Sequence, residues 1–133
     1  VTLDALKEAT QLQLVAKGLT DDDMKLFAEL LGTLVKGAMA GLVELGLAGN
    51  SIGDDGMKAL SSAIVGGAMP QLEILYLFEN QIGDTGITAL ANACAIGAMA
   101  HLNDLHLQNN PVSDETKGTM RTAMSKRSGQ VHF

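Results

Sequence analysis

The chain has 133 residues, a one-domain length, and 47% of them are hydrophobic but only 3% aromatic, so a core must be built from Leu, Ile, Val, Ala and Met. The formal charge of −6 is uneven: residues 1–116 hold all fifteen acids and five bases (−10), and residues 117–133 hold four bases and no acid (+4). An acidic body argues against nucleic acid, whose phosphates need a basic face; the lone Cys94 excludes an internal disulfide, and no apolar run nears the ~18 residues of a membrane span.

With no secretory signal and one cysteine, a cytoplasmic location is the expectation, and a first residue that is not Met suggests a processed or excised piece. Residues 1–11, with Leu3 and Leu6 among polar neighbours, read as a helical half-turn or irregular N-terminal cap. Residues 12–41 read as a degenerate first repeat. Leu12 and Leu14 begin it, and 19–27 aligns with 52–60 at an offset of 33, which returns to 30 by Gly37-Ala38-Met39. Three extra residues between about Leu31 and Gly37 predict a first helix one turn longer.

Residues 42–71 and 72–101 are full repeats. Leu42, Leu45, Leu47 and Asn50 return as Leu72, Leu75, Leu77 and Asn80, then as Leu102, Leu105, Leu107 and Asn110, a step of 30 each time. A fixed period in this range is the signature of a solenoid. The Leu-x-Leu segments alternate as strands do. Asp54, Asp84 and Asp114 sit where a helix N-cap is wanted, and Met57, Leu60, Ala63 and Ile64 follow at helical spacing. Gly67 and Gly97 are placed to end those helices with a left-handed residue. Strands joined by helices must be parallel, with the helices on the other side. The last repeat, 102–125, fades as Lys117 replaces an apolar position, and 126–133 reads as a C-terminal cap in which Val131 and Phe133 alternate as a last short strand or plug.

The pattern L-x-x-L-x-L-x-x-N-x-I-G-D-x-G-x-x-A-L resembles the leucine-rich repeat, in its ribonuclease-inhibitor-like subclass, over roughly residues 9–125. The 30-residue period, the Gly-Ala-Met turn and the low repeat number depart from that subclass. The resemblance implies an α/β fold: a right-handed βα solenoid in a short arc, parallel strands on the concave side and helices on the convex side. It also implies that Asn50, Asn80 and Asn110 form a buried structural ladder, in keeping with the four bonding sites a buried amide must satisfy.

If the leucines face inward, the residues between and beside them face the open side of the sheet. These form columns: Gln11, Glu44, Ile74, Asp104; Gln13, Gly46, Tyr76, His106; Val15, Ala48, Phe78, Gln108; Ala16, Gly49, Glu79, Asn109. Ile74, Tyr76 and Phe78 share one strand, and the strand before it carries only Gly46, Ala48 and Gly49, which predicts a shallow depression beside the rings. The candidate partner-binding residues are Glu44, Ile74, Tyr76, Phe78, Glu79, Asp104, His106 and Gln108, an aromatic anchor with a polar rim.

Chemistry is not expected. Cys94 aligns with Ile64 and reads as a buried hydrophobe; His101, His106 and His132 show no metal-ligand spacing; Asp21-Asp22-Asp23 reads as helix capping. No phosphate loop and no nucleophile–base set is present. No enzyme, cofactor or metal is therefore anticipated. The sequence reads as a binding module for a protein or peptide, without nucleic acid or membrane. The alternative is a structural unit: a terminal fragment of a longer solenoid, or a self-associating repeat. A GTPase-activating role has only analogy within the same subclass behind it, since Arg121 and Arg127 lie in the terminal cap.

Overall fold

A computed structural model describes residues 9–32 and 39–133. In chain order it contains β1 (Gln11–Gln13), α1 (Asp21–Gly32), β2 (Glu44–Gly46), α2 (Asp54–Val65), β3 (Ile74–Tyr76), α3 (Asp84–Ala95), β4 (Asp104–His106), α4 (Asp114–Met124) and β5 (Gln130–His132). The readings made on Leu3 and Leu6, on Gly37 and Ala38, and on a longer first helix lie outside the described residues.

The five strands form one parallel sheet in the order β1-β2-β3-β4-β5, with Leu12, Leu45, Leu75, Leu105 and Val131 in register. Each of the first four strands is followed by a helix that returns along the other side, so each of those units adds one strand and one helix to two growing layers, and β5 closes the sheet alone. Between the layers lies an aliphatic core. Leu42, Leu45, Leu72, Leu75, Leu102 and Leu105 are all fully buried, as are Ile52, Met57, Leu60, Ile82, Ile87 and Leu90 from the loop and helix sides. Each such side chain contributes about 2 kcal/mol by leaving water. Val112, in the last unit, is only partly buried.

The asparagines stitch the turns together. Asn80 accepts from Ile52 N–H (3.1 Å) and donates to the carbonyls of Leu47 (3.0 Å) and Leu77 (3.1 Å). Asn50 accepts from the N–H groups of Lys17 and Leu19 (both 3.0 Å), and Asn110 accepts from Ile82 N–H (3.0 Å). The Leu47 carbonyl receives Asn50 as well as Asn80, and the Leu77 carbonyl receives Asn80 as well as Asn110.

The aspartates behave differently from expectation. The N-cap residues of α2, α3 and α4 are Gly53, Gly83 and Ser113, so Asp54, Asp84 and Asp114 lie one position inside their helices. The carboxylates of Asp21, Asp54 and Asp84 reach forward to the next unit, while Asp114 pairs with Lys117 of its own helix. Asp21 accepts from Gly53 N–H (2.6 Å), Asp54 from Gly83 and Gly86 N–H (2.8 Å each), and Asp84 from Ser113 N–H (2.8 Å). The physical reason is that the first-turn N–H groups of one helix lie beside the carboxylate of the helix before it, and an anion there also meets the positive end of the dipole. Among the described helices only α1 and α4 are capped locally: Asp23 N–H donates to Thr20 Oγ1 (3.4 Å) while Asp23 Oδ2 accepts from Thr20 N–H (2.9 Å), and Thr116 N–H donates to Ser113 Oγ (3.3 Å).

Gly67 and Gly97 take φ of +98° and +94° just past α2 and α3. Met69 and Met99 follow at φ +53° and +48° with their side chains buried, so the turn aims a methionine back into the core at some backbone cost. The last unit lacks this turn. There Arg127 donates to the carbonyls of Cys94 (2.9 Å), Ala98 (3.1 Å), Leu102 (3.4 Å) and Met99, covering the end of α3 and its turn. Phe133 lies under the Arg121 guanidinium (5.0 Å) and the Lys117 ammonium (5.6 Å).

Candidate functional site

Strand alternation and register together build the open face. Glu44, Ile74, Asp104 and Gln130 form one cross-strand row; Gly46, Tyr76, His106 and His132 form the next. Backbone bonds continue the ladder past the strand ends, as in Leu47 N–H to Tyr76 O and Leu77 N–H to His106 O (both 2.8 Å). The side chains of this face are therefore carried on a rigid frame.

Tyr76 is the hub. Its ring meets Phe78 edge-on at 6.3 Å and stacks on His106 at 4.8 Å, and His106 stacks in turn on His132 at 4.3 Å. Three rings thus run in a file across β3, β4 and β5, with Phe78 set against the first. Asp104 sits beside the two imidazoles, 2.8 Å from His132 Nε2 and 3.3 Å from His106 Nε2. Desolvation pushes its carboxyl up, but hydrogen bonds from His132 and His106, with the attraction of either ring when protonated, outweigh that and hold it below the usual carboxylate value. Ile74, Tyr76, Phe78, Asp104, His106 and Gln108 are all partly exposed, and Glu79 is exposed. Glu79 stands at φ +56° in the bend that follows the strand, so it rims the file rather than joining it. Gln108 Oε1 is screened from solvent and has no hydrogen-bond partner among the described residues.

Two expectations are corrected here. The depression beside the rings is filled: the Gln13 amide crosses Gly46 to donate to Glu44 (2.6 Å), and a Cβ on Gly46 would collide with the Gln13 side-chain oxygen and lie 3.3 Å from Val15 Cγ2. A residue without a side chain leaves space that its long neighbour on the next strand takes. The position of Ala48 is likewise not open, since that residue is fully buried. The second correction concerns His132, which sequence spacing separates from every other ligand-type residue. Strand β5 brings it beside His106, so Asp104, His106 and His132 converge, with donor atoms all within 4.8 Å of one another. The signal lay in Val131-His132-Phe133, whose alternation copies Leu105-His106-Leu107. It is hidden because the last step is 131 − 105 = 26 residues instead of 30.

Elsewhere the chemistry is sparse. Cys94 is buried, and burial raises its thiol pKa against a lowering by the Arg127 charge, so it is a poor nucleophile. No helix among the described residues is long and apolar enough to cross a membrane.

A family model described as leucine-rich repeat matches residues 42–61, 68–91 and 98–115. No curated protein matches the chain. Among solved structures it is similar to actin-binding site 2 of leiomodin-1, at 19% identity and a TM-score of 0.75, over 98% of this chain and 77% of that one. An internalin from Listeria monocytogenes matches at 20% identity and a TM-score of 0.42, over 77% of this chain and 29% of that one.

Proposed function

This chain is a leucine-rich-repeat protein, and from that premise we propose that its strand face holds a protein or peptide partner around Tyr76 and Phe78. The observation that carries the reading is the Tyr76–Phe78 edge-to-face pair, presented partly exposed on a rigid strand row. Paired aromatics ordered before binding lose little entropy when a partner covers them, which is what a hot spot requires. Glu44, Glu79, Asp104 and His106 orient the partner from the rim. The α-helix in every unit supports the ribonuclease-inhibitor-like subclass.

The sheet limits the partner's size. Five strands at ~4.8 Å spacing span about 20 Å, small against the roughly 800 Å² per side of a standard interface. A helix or short extended segment suits it better than a broad globular surface. Actin is a natural first candidate, because the leiomodin structure of similar extent is itself an actin-binding site. The reading is tested by affinity capture with the native chain and with Tyr76→Ala/Phe78→Ala, quantified by mass spectrometry, alongside co-sedimentation with filamentous actin. Loss of a captured protein in the double variant supports the face; equal capture by both baits overturns it.

A second reading, a unit that stacks on further repeats or on its own copies, is favoured by Leu26. It aligns with Ala89, which faces the preceding helix, and it is 57% exposed. Light scattering decides this: a concentration-dependent mass that falls to the monomer in Leu26→Glu favours stacking, and a monomer at all concentrations opposes self-association.

A further inference from the structure

We propose that Asp104, His106 and His132 form a binding site for a zinc-class divalent transition-metal ion on the strand face. Asp104 and His106 are two apart on β4 and so project from the same face. His132 is the cross-strand partner of His106 on β5. The sheet therefore delivers one carboxylate and two imidazoles to one place, although 26 residues separate the histidines in the chain.

The donor atoms are already gathered. Both Nε2 atoms approach the same carboxylate, at 2.8 and 3.3 Å, and the two stacked rings, within 11° of parallel, must tilt out of parallel for their in-plane lone pairs to meet one ion. Bonds of about 2.0–2.1 Å to nitrogen in a tetrahedral shell place ligand atoms about 3.3 Å apart. The three donors lie within 4.8 Å of one another, so side-chain rotations of an ångström or so close the shell. That movement falls to Asp104 and His132, 36% and 34% exposed, while His106, 20% exposed between two rings, stays in place.

The supports are fixed. Tyr76 stacks on His106 and holds its plane. Strand β5 is tied to β4 by Leu107 N–H to His132 O and Gln130 N–H to Asn103 O (both 2.7 Å). Gly129 is pressed so closely on Asn103 that any side chain there would strike its carbonyl. Two imidazoles and one carboxylate select zinc, nickel or copper over magnesium or calcium, which prefer all-oxygen shells. Three protein ligands leave a position open for water or for a donor from outside. The site does not depend on the protein-binding reading, and its test uses no partner.

Metal-stripped chain is titrated with zinc chloride alone by calorimetry, and with cobalt(II) in the visible spectrum. The expected result is one zinc per chain and a cobalt spectrum of low-coordinate type. His106→Phe and His132→Phe keep the ring stack and strand while removing a ligand nitrogen; each is expected to weaken zinc by at least about tenfold. His101→Ala, outside the cluster, is expected to bind as the native chain does. Circular dichroism establishes that each variant is folded. Absence of binding by the folded native chain at about 100 µM zinc, an affinity weaker than most specific sites, overturns the proposal. So does binding that His132→Phe leaves unchanged or that His101→Ala abolishes.

Discussion

Replacing Asn80 by Ala removes the central rung of the asparagine ladder, and its cost follows from which groups lose their only partner. The carbonyls of Leu47 and Leu77 each keep a second amide, from Asn50 and Asn110. Ile52 N–H keeps nothing: its acceptor is Asn80 Oδ1 at 3.1 Å, and Ile52 is fully buried. An orphaned buried donor costs about 1–3 kcal/mol, and the two lost amide bonds add about 0.5–1 kcal/mol each, giving about 3 kcal/mol in all. Asn110→Ala likewise takes the acceptor from Ile82 N–H, but Asn110 is only partly buried, so water can enter in place of its side chain and the variant should cost about 1 kcal/mol. Urea unfolding followed by circular dichroism measures both. With a slope of about 1.5 kcal/mol per molar, the midpoint falls about 2 M for Asn80→Ala and under about 1 M for Asn110→Ala. Equal shifts, or a shift under about 0.5 M for Asn80→Ala, would refute the ladder as the source of this stability.

The other predictions concern the aspartates, the glycines and the terminal arginine. Gly86→Ala puts a Cβ 2.8 Å from Asp54 Oδ1 and from Ile82 Cγ2, which should destabilise by about 1–3 kcal/mol in the same urea assay. Gly118→Ala on the open side of α4 meets nothing within 4 Å and should stabilise by about 0.5–1 kcal/mol. Arg127→Ala leaves the carbonyls at the end of α3 without their cation and should cost about 2 kcal/mol, read as a lower melting temperature. The Asp84 carboxyl is held below its ordinary 3.8, first by the backbone hydrogen bond from Ser113. A depressed folded value means that its stabilisation is present above pH 3.8 and is lost as pH falls through the lowered value. Melting curves of native chain and Asp84→Ala should therefore differ at neutral pH and converge in acid; a gap that persists unchanged at low pH contradicts the assignment.

The repeating parts of the fold were legible because a period places the same residue in the same environment each time. Leu45, Leu75 and Leu105 stand in one register, and the asparagines that follow them bond backbone in adjacent turns. What periodicity does not say is which neighbour a recurring side chain bonds. The aspartates recur at the helix starts, yet their partners are N–H groups of the next unit, a relation visible only once helices are stacked. At the open face, the Tyr76 and His106 row follows from alternation alone. The Gln13 side chain over Gly46 depends on a rotamer, which sequence does not carry. His132 was missed because the shortened final unit breaks the period at the place where it matters.

The central claim is that a partner is gripped from the strand face, and site-specific photo-crosslinking tests it most directly. A benzophenone side chain is placed in separate samples at Phe78, on the strand face, and at Val65, 52% exposed on the helix side. The samples are irradiated in cell extract. The account predicts a discrete protein adduct from position 78 and none from position 65. An adduct from position 65 with none from 78 would contradict it and move the binding surface to the helices.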